Sequence, residues 1–327
     1  MPSSVSDPAS ILIYVGLDAV GDGLIKLPFI RALRAAFPKA RITWMSGKGP
    51  TVFEDILAPL VTGLIDEILP FTRIGERPLE LMGRRPLPGR SFDLIIDTQR
   101  RGLTTLVLKR IRHGRFISAT AGFLFSDGKP ADTTRPAAMI GQLMQLVEAA
   151  AGRKVAETSP LPRDAAIEAE AERLLPAGPR YVGLAPGAGG RWKCWPLERY
   201  IALAAGLKDA VPVFLLGPAE AEDWAATIRA ALPQALLPLQ DTARLTPMLT
   251  IALGRRLAAA VANDSGTGHM LGAADIPLVS LFGPTAAHKF APHTRRAAIV
   301  RAQDFGGEAM DSIPLEAVEK ALLPLLL

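Results

Sequence analysis

The chain has 327 residues, more than a single hydrophobic core usually serves, so two domains are expected. With 49% hydrophobic and 21% charged residues it is neither disordered nor fibrous, and its one cysteine, Cys194, excludes a disulfide framework or a cysteine-built zinc site. The net charge of +5 is uneven, with 22 Lys+Arg against 16 Asp+Glu in residues 1–165 and 15 against 16 in residues 166–327.

Short apolar runs alternate with amphipathic segments along the whole chain. In the first half, residues 11–17 predict a buried strand and 24–37 the helix after it. Residues 41–45, 92–97 and 115–118 predict further strands, and 134–151 a helix. The stretch 156–179, with Pro160, Pro162, Pro176 and Pro179, is the expected junction. The second half repeats the rhythm: strand 181–185, helix 197–208, strand 211–216, helix 219–232, helix 246–253, strand 257–262, helix 268–274 and strand 277–282. Residues 314–327 form an amphipathic tail that the pattern leaves free to return across the junction onto the first domain. Strands alternating with helices imply parallel α/β sheets covered on both faces. The expectation is two doubly wound domains, 1–165 and 166–327, facing a central cleft.

No apolar run reaches the roughly 18–20 residues of a spanning helix. Residues 1–10 hold no basic side chain and include Asp7, which does not read as a secretory signal, so a cytoplasmic protein is expected. The positive excess of the first half gathers at Arg84, Arg85 and Arg90 and again from Arg100 to Arg115, which points to an anionic partner. Aromatic residues are only 6% and do not interleave with these cations, so no nucleic-acid partner is expected.

Three strand-to-helix loops carry candidate chemistry. Residues 16–23 hold Gly16, Gly21 and Gly23 with Asp22 at the helix start, where the carboxylate either caps the helix or acts on a ligand. The spacing is not that of a dinucleotide fingerprint. Residues 186–196 place Gly187, Gly189 and Gly190 beside Arg191 and Lys193, a loop suited to an anionic group ahead of a helix begun by Pro196. Trp192 and Trp195 flank Lys193 and are expected to shield it. Residues 262–269 bring Asp264, Ser265, Gly266, Thr267, Gly268 and His269 to another helix start, where hydroxyls, free amides and the helix dipole favour an anion. The next strand ends Leu281-Phe282-Gly283-Pro284 without the acid a nicotinamide site uses for its ribose, which disfavours an oxidoreductase. Glu220 and Glu222 follow the strand at 211–216 and are either first-turn acids or ribose contacts. The four histidines are scattered, so neither a metal nor another cofactor is expected.

Taken in order, these loops resemble glycosyltransferase family 9, the bacterial heptosyltransferase family of lipopolysaccharide core assembly. The similarity lies in Gly21-Asp22 followed by Leu27-Pro28-Phe29-Ile30-Arg31, then Lys193-Cys194-Trp195-Pro196-Leu197, then Asn263-Asp264-Ser265-Gly266-Thr267-Gly268-His269 with Phe282-Gly283-Pro284-Thr285. It implies a GT-B fold of two Rossmann-like domains, with the acceptor on the first and a nucleotide sugar, ADP-heptose, on the second. It also implies Asp22 as catalytic base, Lys193 on the diphosphate, and Glu220 or Glu222 on the ribose. Gly187, Asp264, Ser265, Gly266, Thr267, Gly268 and His269 would complete the donor site. Arg100 and Arg101 are candidates for an anionic glycolipid acceptor, which would bring the protein to the cytoplasmic face of the inner membrane. Cys194 and the Arg/Pro-rich stretch 73–90 depart from the family pattern. Rival readings are a transferase of the same fold using another nucleotide sugar, and a catalytically silent binding protein.

Overall fold

A computed structural model describes residues 7–156 and 161–327. Residues 1–6, and 157–160 of the expected junction, lie outside the described residues. The chain divides into two units, Met1–Pro162 and Arg163–Leu327, so the division falls three residues earlier than the sequence suggested.

The first unit runs β1 (Ser10–Val15), α1 (Val20–Ala36), β2 (Arg41–Ser46), β3 (Glu67–Leu69), β4 (Ser91–Asp97), α2 (Gly102–Leu108), β5 (Arg112–Ser118) and α3 (Met139–Ala151). All pairings are parallel, in the order β3-β2-β1-β4-β5. Central β1 pairs Ile13 with Trp44 on one side and Ile96 on the other. Its Ile11 to Val15 run is buried because both faces of a parallel sheet are covered, which is why the sequence shows a continuous apolar run rather than alternation. Strand order reverses between β1 and β4, so the loops after these two strands flank the place where open α/β sheets take ligands.

The second unit runs α4 (Ala165–Leu174), β6 (Tyr181–Ala185), α5 (Leu197–Ala205), β7 (Val211–Phe214), α6 (Pro218–Ala231), α7 (Pro247–Gly254), β8 (Ala259–Asn263), α8 (Gly266–Ala273), β9 (Leu278–Phe282), α9 (Ala287–Phe290), β10 (Ala297–Arg301) and α10 (Leu315–Leu326). Its parallel sheet has the order β10-β9-β8-β6-β7, with the reversal between β6 and β8. Alternate residues feed two core layers. Val182, Leu184, Ala259 and Val261 join Trp195, Tyr200 and Phe214 on one face, while Tyr181, Ala185, Ala260 and Ala262 join Leu249 and Leu253 on the other.

Several expectations need correction. Part of the expected junction is helix: α4 is held at its start by Asp164, whose carboxylate accepts the N–H groups of Ala166 and Ile167. The helix expected from 134 begins at Met139, since Pro136 cannot continue it. Strand β1 stops at Val15, leaving Leu17 exposed. Within the second unit, α10 buries Val318 and Leu322 in the core, against β8, β9, β10 and α5. Among the described residues, no helix is long and apolar enough to cross a membrane.

Candidate active site

The two switch points each gather polar side chains, and each is described within its own unit. In the second unit the loop after β6 meets the loop after β8 through Asn263. This residue is 1% exposed. Its Nδ2 donates to the Pro186 carbonyl at 2.6 Å, while its Oδ1 accepts the Trp195 N–H at 3.2 Å and the Tyr200 hydroxyl at 3.1 Å. A short buried amide therefore ties the glycine loop to the β8 terminus, which fixes where Lys193 stands.

Lys193 ends a 3-10 turn, Arg191–Lys193. Its Nζ donates to Asp264 Oδ2 at 2.8 Å, and Thr285 Oγ1 donates to that same oxygen at 2.7 Å. The sequence expectation that two tryptophans enclose Lys193 is half right. Trp192 does lie beside it, with Nζ 5.3 Å from the ring centroid, but is itself 62% exposed, whereas Trp195 is a fully buried core residue whose Nε1 donates to the Ile313 carbonyl. Pro196 is the residue before α5 rather than its first helical residue.

Ser265 caps α8, its Oγ accepting the Gly268 N–H at 3.2 Å. Gly266, Thr267 and Gly268 form the first turn; with the Gly268 N–H taken by Ser265, the amides of Gly266 and Thr267 are the ones without an intrahelical acceptor at the helix start beside Asp264. A Cβ at Gly268 would sit 2.9 Å from the Asn263 carbonyl, so only glycine lets the helix begin this close to β8. His269 follows, buried in α8.

Glu220 and Glu222 part company. Glu220, in the first turn of α6, folds its carboxyl over the glycine loop, where a Cβ on Gly187 would come within 2.7 Å of it. Glu222 is exposed on the same helix. Glu220 also acts on Cys194: burial, then the Glu220 charge, push the thiol above its ordinary value, so it stays protonated at neutral pH. Arg191 turns away from the loop to pair with Asp223 and stack on Trp224, 4.4 Å from the ring centroid.

In the first unit Asp22 occupies the first turn of α1, just beyond the carboxyl end of β1. It is half-buried, and it is not the cap: that position is Ala19, with no side-chain cap bond. The buried carboxylate of this loop is Asp18. It pairs with Lys26 and accepts the Trp44 Nε1–H at 3.1 Å and the Thr51 hydroxyl at 2.8 Å. Asp18 thus anchors the loop, and Asp22 is the half-buried aspartate of the two.

Across the switch point, β4 ends in Asp97, which is fully buried. Its carboxylate accepts the Thr105 hydroxyl at 2.6 Å, the Gln99 N–H at 2.8 Å and the Ser118 hydroxyl at 3.0 Å. Burial pushes this carboxyl up to about 6, although those three bonds pull it down. Arg100 follows. One guanidinium nitrogen donates to the Ala119 carbonyl at 3.4 Å, while Nη2 is buried and has no hydrogen-bond acceptor among the described residues. Burial, and then the neighbouring Arg135 charge, press its pKa below the ordinary value. Arg101 is exposed at the start of α2.

The sequence pointed at the three loops but missed what holds them: Asn263 as a staple, Thr285 on Asp264, Asp18 with Lys26, and the Asp97 network. Only Asn263 and Asp97 had a local signal, each a polar residue closing an apolar strand. Among the described residues no three or more His, Cys, Asp or Glu side chains gather as a metal site.

The profile of glycosyltransferase family 9 (heptosyltransferase) matches residues 83–311, a span that leaves out the loop carrying Asp22. Lipooligosaccharide heptosyltransferase 2 of Haemophilus influenzae is 35% identical over 126 residues, covering 37% of this chain and 36% of that protein. The match thus spans little more than a third of that curated relative. A family 9 glycosyltransferase structure from Veillonella parvula aligns with a TM-score of 0.69 at 20% identity, over 97% of both chains. The E. coli ADP-heptose lipopolysaccharide heptosyltransferase II aligns at 0.65 with 22% identity, over 97% of this chain and 98% of that one. The E. coli heptosyltransferase WaaC with ADP aligns at 0.67 with 18% identity, over 97% and 99%. The shared fold is the GT-B type, two Rossmann-like α/β units.

Proposed function

The chain belongs to glycosyltransferase family 9, the heptosyltransferase family, and from that premise we propose that it moves a heptose from ADP-heptose onto an anionic glycolipid of the lipopolysaccharide core. The observation that carries this reading is the second unit's switch point. There Lys193, Asp264, Thr285 and the Ser265-capped start of α8 meet in a setting suited to a nucleoside diphosphate.

In this reading the diphosphate takes the amides of Gly266 and Thr267, and Lys193 meets the negative charge that grows on it as the sugar leaves. Fixed donors of this kind stabilise a developing anion without reorganising, so no divalent metal is needed for the step. His269 and Gly187 complete the donor contacts. Glu220, already folded over the glycine loop, is the better placed of the two glutamates to accept a ribose hydroxyl; Glu222 is exposed. The first unit supplies the acceptor side. Asp22 takes the proton of the attacking hydroxyl. A carboxylate is too weak a base to remove that proton beforehand, so transfer accompanies attack at the anomeric carbon, which inverts. Arg100, with a buried nitrogen lacking an acceptor among the described residues, and Arg101 meet anionic groups of the acceptor, in keeping with the basic first half.

Thermal-shift titration with ADP, UDP, GDP and NAD, each with and without a chelator, tests the donor half. At one hundred times its dissociation constant a ligand stabilises by about 2.7 kcal/mol, a readily measured shift. ADP alone should shift the midpoint, whether or not chelator is present. A response confined to UDP or GDP would keep the transferase and replace the donor; no response to any nucleotide would favour a catalytically silent protein.

A further inference from the structure

The stretch between β3 and β4 separates two kinds of apolar residue. Ile74 and Leu87 pack against the core of Leu12, Tyr14, Met45 and Phe92, forming the feet of the loop. The tip between them is held by polar bonds. Glu80 accepts the N–H groups of Gly75, Glu76 and Arg77 at 2.8, 2.9 and 2.7 Å, and Arg110 donates to the carbonyls of Glu80 and Gly83. Thr104 Oγ1 donates to the Gly75 carbonyl at 2.9 Å, and Arg90 forks onto Glu67. A tip so well pinned nevertheless turns Leu79, Leu81 and Met82 to solvent, Leu79 at 78% and Met82 at 89% exposure. Arg77, Arg84 and Arg85 are exposed around them.

One exposed leucine is ordinary on a soluble surface, but three large apolar side chains within four residues of an ordered turn are not. Their exposure does not follow from a lack of structure, and the core does not use them. Apolar side chains ringed by arginines suit a boundary that is apolar inside and negatively charged at its face. Guanidinium groups pair with phosphate oxygens in a bidentate way, while the short apolar chains reach only the headgroup boundary. Residues 71–90 hold five arginines against two glutamates, so the charge of the element matches such a face.

We propose that residues 77–85 dock the protein on an anionic phospholipid surface, with Leu79, Leu81 and Met82 entering the headgroup boundary and Arg77, Arg84 and Arg85 contacting lipid phosphates. This goes beyond the transferase reading and does not depend on it, since binding is scored without nucleotide or turnover.

The test is co-sedimentation of the full chain with vesicles of equal parts phosphatidylglycerol and phosphatidylcholine, against vesicles of phosphatidylcholine alone. The parent protein should sediment with the anionic vesicles only, and less so as salt rises. Arg84→Ser with Arg85→Ser should weaken binding about 25-fold. Leu79→Ser with Leu81→Ser and Met82→Ser should remove it, while Leu323→Ser, at an exposed site on α10, should leave it unchanged. In a separate Met82→Trp variant, tryptophan emission should move to the blue on adding anionic vesicles. This arm and the arginine pair decide the matter even if the triple variant fails to fold. The proposal is overturned if the parent binds no vesicle, if the arginine pair binds like the parent, or if Leu323→Ser weakens binding equally. It is also overturned if the Met82→Trp emission shifts with protein concentration rather than with lipid, which would make the tip a protein contact.

Discussion

Replacing Asn263 by Ala should loosen the second unit and its ligand loop together. The amide is buried at 1% exposure and serves three partners, the Pro186 carbonyl, the Trp195 N–H and the Tyr200 hydroxyl. The hydroxyl keeps a second acceptor, the Ala185 carbonyl at 3.3 Å, so two groups lose their partner. A buried group left unpaired costs about 1–3 kcal/mol, so the variant should lose roughly 2–6 kcal/mol. Urea unfolding followed by tryptophan fluorescence reads this selectively: Trp192, Trp195 and Trp224 belong to the second unit and only Trp44 to the first. A chain of two units need not unfold in one step, so the second-unit transition should move while the first stays put. Combining Asn263→Ala with Tyr200→Phe should cost less than the sum of the two, because the partners share one bond. A loss below about 1 kcal/mol with unchanged nucleotide affinity would refute the idea that this amide staples the loop.

Lys193→Met should leave the fold intact, since the side chain is partly exposed and Asp264 keeps Thr285, but it removes one charge-assisted contact to a diphosphate. That contact is worth about 1.5–3 kcal/mol, so calorimetry should show ADP binding about 10- to 150-fold weaker. Gly187→Ala should push the Glu220 carboxyl off the loop and weaken nucleotide binding with little change in thermal midpoint. Asp97 gives the first unit an unusual pH response. Folded, it keeps its proton up to about 6, whereas the unfolded chain releases it near 3.8. Folding therefore takes up a proton between those values, so this residue's contribution is most favourable below 3.8, declines as pH rises through the window, and levels off above 6. The span corresponds to roughly 3 kcal/mol, and the difference in urea stability between parent and Asp97→Asn, read from Trp44, should follow that curve. A difference independent of pH would contradict it.

The parallel sheets were legible because buried strands such as Ile11 to Val15, apolar throughout, and Leu278 to Phe282, broken only by Ser280, are short runs with glycine or proline at an end. What escaped notice lies at edges and in local ambiguity. β3 and β10 are edge strands whose residues are mostly half-buried or exposed, so their apolar pattern is weak. α2, with Thr104, Thr105 and Val107, has a β-branched composition, yet Thr104 and Thr105 spend their hydroxyls on Gly75 and Asp97. α4 was hidden by the prolines around it, although Asp164 announces its start. The three glycine loops could be read because each follows a strand. Their mutual contacts could not, since Asn263 with Pro186 and Lys193 with Asp264 are pairs more than 70 residues apart that only the β6–β8 adjacency creates. The same limit hid Asp18: the sequence offers two aspartates four apart, and only Lys26, Trp44 and Thr51 show which one is buried.

The central claim is that Asp22 is the base of a heptosyl transfer whose donor is held by the second unit. The most direct measurement is ADP release from ADP-heptose in the presence of a deacylated lipopolysaccharide core acceptor, for the parent and for Asp22→Asn, with ADP affinity measured on both proteins. The account predicts acceptor-dependent release by the parent, about 10²- to 10⁴-fold slower release by Asp22→Asn, and equal ADP affinity for the two. An Asp22→Asn protein that turns over like the parent would contradict it, as would a parent that binds ADP yet releases none from the sugar donor.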